Sequence, residues 1–253
     1  MAEFFLIELV LLAFIMEYID STIGGGYGTV LTPVLLLIGY ETLVIVPSIL
    51  LSEILTGFVV GFLHNRASKV EITRNPIAKT SLMILCFSGL IGSIFAIYLS
   101  ISLPSIYVKY YIGIIVVAMG LLVLWKRNGK SLFSRRKIIA LGVLCSFNKG
   151  ISGGGYGPVA VSGQMLSGVE TKTAISVTSI SEAFVCIISL IGYLFTVGIS
   201  DWILTASICL GAIVATPFSA ITVSRAKERK LMFVIGIAII LIGSLTLFRL
   251  AFM

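Results

Sequence analysis

Gly24-Gly25-Gly26-Tyr27-Gly28 and Gly153-Gly154-Gly155-Tyr156-Gly157 spell the same five residues, GGGYG, twice in one chain. Both copies sit in long apolar surroundings. A glycine costs a helix interior about 1 kcal/mol relative to alanine, so three in a row interrupt a helix. The same interruption, made twice in apolar sequence, is the feature from which the fold can be read.

The composition identifies the solvent. Hydrophobic residues make up 58% of the 253 and charged residues 11%, and mean hydropathy is +1.13. A soluble domain carries about 25% charged residues. The stretches 80–103, 105–125, 173–199 and 202–224 each approach or exceed the ~20 apolar residues that cross a bilayer core, and no polar stretch remains for a separate soluble domain. The start, MAEFFLIELV, is acidic and lacks the basic region and cleavage site of a signal peptide, so it reads as part of the mature protein. Cys86, Cys145, Cys186 and Cys209 lie in apolar segments without CxxC spacing and read as small buried hydrophobes rather than metal ligands or disulfides.

Superposing the tracts at an offset of 129 exposes a repeat: residues 24–53 and 153–182 share 12 of 30 positions. Leu37/Leu166, Gly39/Gly168, Glu41/Glu170, Thr42/Thr171, Ser52/Ser181 and Glu53/Glu182 are among them. Further on the offset becomes 123, pairing Gly113 with Gly236 and Gly120 with Gly243. The organisation expected is a first repeat at 1–125, a linker at 126–137 and a second repeat at 138–253.

Charge placement orients the halves. Lys and Arg cluster at 66–79, 126–137 and 225–230, whereas the connections 100–105 and 197–201 carry none. Short basic loops stay in the cytoplasm, so the net charge of +7 speaks of topology and not of nucleic acid. Spans at 42–63, 80–103 and 105–125 then run inward, outward and inward. Their counterparts at 173–199, 202–224 and 231–250 run the opposite way. The fold class expected is an all-α polytopic membrane protein of two inverted-topology repeats, with both termini outside the cytoplasm.

The segments holding the tracts, 4–40 and 138–168, read as re-entrant helical hairpins. The apolar arm at 138–148 covers only about 16 Å, near half a bilayer, and its two ends must share one side. A variant makes the 4–23 arm a full span. Broken backbone at membrane depth is tolerated where protein buries it or where it lines a wet cavity. Hairpins entering from opposite faces meet near the midplane, where transporters built of inverted repeats hold their substrates. The second arms begin at residues 26–29 and 155–159, with free N–H groups and a positive dipole end that favour an anion; Pro158 suits such a start. Tight helix packing by small residues is the competing reading of the glycines.

The residues expected to bind substrate are Gly24, Gly25, Gly26, Tyr27, Gly28 and Thr29 in the first copy. In the second they are Lys149, Ser152, Gly153, Gly154, Gly155, Tyr156, Gly157 and Gln164. Lys149 stands where the first copy has Asp20, with Glu17 one turn earlier. Intramembrane charge is costly and calls for a partner, so Lys149 either holds the anion or pairs with Asp20. Glu53 and Glu182, each about eleven residues into a span, are the candidates for proton coupling along with Asp20 and Glu17; a neutral, structural glutamate is the alternative. His64 falls at a helix end facing solvent. No His or Cys constellation suggests an enzyme, no GxxxxGK[ST] suggests an ATPase, and no cofactor or metal is called for.

With both tracts and the turns Gly39-Tyr40-Glu41-Thr42 and Gly168-Val169-Glu170-Thr171, the chain resembles the TauE/SafE family of sulfite and organosulfonate exporters over essentially its whole length. The resemblance implies a prokaryotic cytoplasmic-membrane transporter of sulfur-containing anions such as sulfite or sulfoacetate, coupled to an ion gradient. The expected partners are a small-molecule anion, protons and the lipid bilayer; a homo-oligomer stays open. A passive anion channel is the alternative, and a membrane-embedded enzyme a more distant one.

Overall fold

A computed structural model describes residues 2–23, 26–68, 75–124, 133–222 and 228–252. Gly24, Gly25 and half of the basic residues used to orient the chain lie outside the described residues, as does the side chain of His64.

Among the described residues the regular structure is helical, in ten elements. They are α1 (Ala2–Ile23), α2 (Tyr27–Ile38), α3 (Thr42–Ser68), α4 (Pro76–Ser102), α5 (Ser105–Leu124), α6 (Arg135–Ser152), α7 (Gly157–Leu166), α8 (Thr171–Thr196), α9 (Trp202–Thr222) and α10 (Glu228–Ala251). Within them Pro76–Ser102, Thr173–Thr196 and Trp202–Ser219 are long and apolar enough to cross a membrane, and Tyr27–Ile38, Thr42–Gly57, Ser105–Leu121 and Ile239–Ala251 are shorter apolar stretches. Phe87, Ile91 and Phe95 stand exposed along one stripe of α4, as a helix facing lipid requires.

The six stretches expected to span the membrane lie on the helices α3, α4, α5, α8, α9 and α10 within a few residues. The first arms of the expected hairpins differ more. Helix α6 has 18 residues, about 27 Å, because it begins in the basic Arg135-Arg136-Lys137 and continues through Lys149 to Ser152. An apolar window misses both ends. Its second arm, α7, has only 10 residues. In the first half the arms have 22 and 12 residues, the same inequality.

Packing follows the repeat. Helix α1 packs on α9, and their counterparts α6 and α4 pack on each other. Helix α3 packs on α8 and α5 on α10, each against its own counterpart. The α4–α6 seam is a row of small residues four apart. Gly142 meets Ser88, Gly92 meets Ser146, and a Cβ on Gly150 would lie 2.7 Å from that of Ala96. Residue numbers rise together along this seam, so the two helices run parallel. Without a hydrophobic driving force between helices in lipid, such close approach supplies the attraction. A methyl on Gly92 would overlap the Val143 carbonyl and lie 2.9 Å from Phe147 N. Gly92→Ala should therefore cost about 1–3 kcal/mol by overpacking, read as a lower Tm in detergent.

Contacts among the connections sort them into two ends. At one end Glu41 accepts from Lys109 Nζ at 2.8 Å and from Ser105 Oγ at 2.9 Å, and Arg249 donates to the Leu37 carbonyl. A cavity of about 140 Å³ lies between Gly39, Glu41, Lys109 and Arg249 there. At the other end Ser134 N donates to Ser167 O at 3.1 Å, and Ala78, Ile138, Val169 and Ala174 share one apolar cluster. Helix α4 runs from the second end to the first, α3 starts at the first and α8 at the second. The Lys109 hydrogen bond holds the Glu41 carboxyl below its ordinary 4.5. A depressed carboxylate stabilises above that range, and the contribution fades as pH falls through the lowered value. Since Glu41 is 58% exposed, Glu41→Gln should cost less than about 1 kcal/mol at neutral pH, and the difference from wild type should shrink in acid unfolding.

Candidate functional site

Each tract is pinned at a defined depth by its tyrosine. The buried Tyr27 hydroxyl shares a hydrogen bond with Ser52 Oγ at 2.9 Å, and Tyr156 donates to Ser181 Oγ at 2.9 Å. Ser52 and Ser181 are equivalent positions, three turns into α3 and α8, so each tract sits about 15 Å from the end at which its long helix begins. The two helices begin at opposite ends of the molecule.

The tracts meet at that depth. Gly28 lies against Gly153, where a Cβ would fall 2.6 Å from the carbonyl carbon, and one on Gly154 would fall 2.5 Å from both Gly28 C and Thr29 N. Gly155 N donates to Thr29 Oγ1 at 2.9 Å and Thr32 Oγ1 to Ser152 O at 2.7 Å, stitching one half to the other. Gly26, Gly153 and Gly155 take positive φ of 147°, 70° and 74°, a region that glycine enters without steric cost. The glycines thus serve close approach of the two tips as well as the break.

The helical ladders begin with Val30 N on Gly26 O and Ala160 N on Tyr156 O, which leaves the first N–H groups of α2 and α7 outside them. One of these is already engaged by a carboxyl of the chain itself: Asp20 Oδ1 accepts from Tyr27 N at 3.1 Å. Gly154 N is turned to Ser152 Oγ at 3.2 Å.

Lys149 is 1% exposed. It forms ion pairs with Glu53 Oε2 and with Glu182 Oε1, the latter at 2.9 Å. Of the two roles expected of Lys149, direct pairing with Asp20 gives way to a bridge between the two equivalent glutamates. Equivalence in the repeat does not make Asp20 the direct partner of Lys149: it lies within electrostatic reach of the ammonium but takes its hydrogen bond from the α2 N-terminus. Glu53 and Glu182 do meet across the α3–α8 contact, with the ammonium between them, so neither is the isolated carboxylate that its sequence position suggests.

Glu17 is buried and accepts from Ser21 Oγ at 2.7 Å, one turn along α1. Ser152 donates to Asn148 O at 2.6 Å. Gln164 lies apart from the tips: its amide donates to Thr178 Oγ1 at 2.7 Å and to Ala174 O at 3.3 Å, tying α7 to α8. Gly24 and Gly25 are outside the described residues.

Two further residues belong to the centre. Asn148 is fully buried, takes a hydrogen bond from Tyr111 on its Oδ1, and leaves Nδ2 without a partner. A Cβ on Gly155 would stand 3.8 Å from that nitrogen. Cys186 lies with Sγ 3.4 Å from Glu53 Oε2. An amide next to the intramembrane lysine, in FNKG, was the available signal for Asn148; nothing in the sequence marked Cys186. The four cysteines are free thiols, three of them buried. Among the described residues no group of three or more His, Cys, Asp or Glu is arranged to hold a metal ion.

Comparison with known proteins points to membrane transport. The family model described as "Sulfite exporter TauE/SafE" matches residues 9–246. A "Probable membrane transporter protein YtnM" of Bacillus subtilis (strain 168) is 27% identical over 256 residues, covering 95% of this chain and 83% of that protein. No solved structure matches.

Proposed function

The chain belongs to the sulfite exporter TauE/SafE family, and on that premise we propose that it is a proton-coupled secondary transporter of a small oxyanion, sulfite or an organosulfonate such as sulfoacetate. Membership supports a multi-pass membrane transporter rather than an enzyme; the substrate, the coupling and the site are our reading. The two repeats are taken to be inverted, with the touching tracts at the midplane of a prokaryotic cytoplasmic membrane and both termini outside. Paired packing of equivalent helices and the opposite starting ends of α3 and α8 support that reading.

The observation that carries the substrate class is Lys149, a buried ammonium at the junction of the tips. In the same turn of α6, Asn148 Nδ2 is buried without a partner, a neutral donor in addition to the charged one. The tracts touch in this conformation. Rocking of the halves about their contact would part them and admit the anion from one side at a time.

Purified protein in liposomes should accumulate radiolabelled sulfite or sulfoacetate, with a rate that follows an imposed pH gradient and saturates with substrate. Flux that is ohmic and indifferent to the pH gradient would make the protein a channel. Absence of flux for every member of a sulfite, sulfoacetate, taurine and sulfate panel would reject the oxyanion reading.

A further inference from the structure

Resting on that oxyanion reading, we propose that each anion bound at Lys149 is accompanied by two protons, one on Glu53 and one on Glu182. The centre holds one ammonium and two carboxylates in contact with it. Lys149 is 1% exposed and has no face of its own turned to water, so an arriving anion must take the place of the carboxylates. If both stayed ionised, the ammonium would face two carboxylates and the substrate in a buried site. Uncompensated buried charge of that kind is strongly disfavoured.

Protonation removes the conflict. A proton on each displaced glutamate cancels its charge and turns an acceptor into an O–H donor, which can face the oxyanion. One proton does not suffice, because the second glutamate would still hold the ammonium and repel the substrate. The protons come from the aqueous phase that supplies the anion and leave with it on the other side. Lys149 keeps its charge throughout, first paired with the glutamates, then with the substrate, then with the glutamates again. This arrangement makes the empty lysine's two partners the coupling device.

The α1 carboxyls also lie within electrostatic reach of this centre, Glu17 and Asp20 of Lys149 and Asp20 of Glu182 as well, but the hydrogen bonds of the surrounding ionisable groups go elsewhere. On α1, Asp20 accepts from Tyr27 N and Glu17 from Ser21. Tyr27 and Tyr156 are bound to serine hydroxyls, and Tyr111 from α5 to Asn148. The Cys186 thiol on α8 faces Glu53, Cys145 lies one turn before Lys149 on α6, and Cys209 belongs to α9. Among these, only Glu53 and Glu182 form ion pairs with Lys149.

Sulfoacetate, which has no group of its own titrating near neutral pH, is the probe. Its binding to the full-length protein in detergent is followed by calorimetry in buffers of different ionisation enthalpy, which counts protons taken up. The expected count is two at a pH where both glutamates are ionised, with affinity falling roughly 100-fold per pH unit. Glu53→Gln or Glu182→Gln should take up one proton with roughly a 10-fold fall per unit, and the double variant none. A wild-type count of zero or one overturns the proposal, as does a proton lost in Asp20→Asn but in neither Gln variant. The wild-type slope decides the matter even where a variant does not fold. Binding without proton uptake would leave the oxyanion reading standing, whereas no binding of any panel anion would remove that reading itself.

Discussion

Lys149→Ala should lower oxyanion uptake into liposomes by at least ~100-fold, the loss that removing one member of a buried charge pair commonly brings. The substitution deletes the ammonium and leaves Glu53 and Glu182 facing each other across α3 and α8. Like charges so placed repel, so the variant should also lose stability, by about 3–5 kcal/mol when a buried pair is broken. Lost transport and lost folding must therefore be separated. Lys149→Ala combined with Glu53→Gln and Glu182→Gln removes all the charges of the bridge together. A neutral replacement of a buried ion network is often no less stable than the network. The triple variant should thus recover the wild-type Tm and remain without transport. If it recovered transport as well, Lys149 would be a structural clamp, and the assignment of an anion site to it would fall.

The sequence exposes the repeat and its apolar helices because both are statements about one dimension. Offsets of 129 and 123 identify equivalent residues, and hydropathy finds the stretches that lie in an apolar solvent. What stayed hidden was adjacency. Asp20 and Lys149 are equivalent, yet each found a different partner, since an N-terminus lay beside one and two glutamates beside the other. Glu53 and Glu182 are equivalent and do meet, because α3 packs on its own counterpart. Only the packing tells which equivalent pairs face each other. Helix α6 was underestimated for a related reason: its terminal charges, Arg135 and Lys149, find neutralising surroundings or solvent at its two ends, and hydropathy cannot register that. Asn148 and Cys186 entered the site through neighbours contributed by α5 and α3, far away in the chain.

Gly28→Ala carries the second large expectation, and it tests what the glycine tracts are for. A methyl group there would overlap the Gly153 carbonyl oxygen and come within 2.6 Å of its carbon. These are backbone atoms, which cannot swing away as a flexible side chain can. The two tips must therefore separate, and with them the bonds from Gly155 N to Thr29 Oγ1 and from Thr32 Oγ1 to Ser152 O. Gly154→Ala meets Gly28 and Thr29 in the same way from the other half. Each should reduce uptake at least ~10-fold, with a Tm loss of about 1–3 kcal/mol in equivalent stability. Gly39→Ala is the informative contrast. It also has a positive φ, 114°, but a Cβ there meets nothing within 4 Å, so its cost is confined to local backbone strain of order 1 kcal/mol. If Gly28→Ala and Gly39→Ala proved equally mild, the tracts would be serving as helix breakers alone. If Gly28→Ala lost uptake while Gly39→Ala kept it, close contact between the two tips would be the property selected. That contact lies at equal depth from either end of the molecule, where a site between rocking halves has to be.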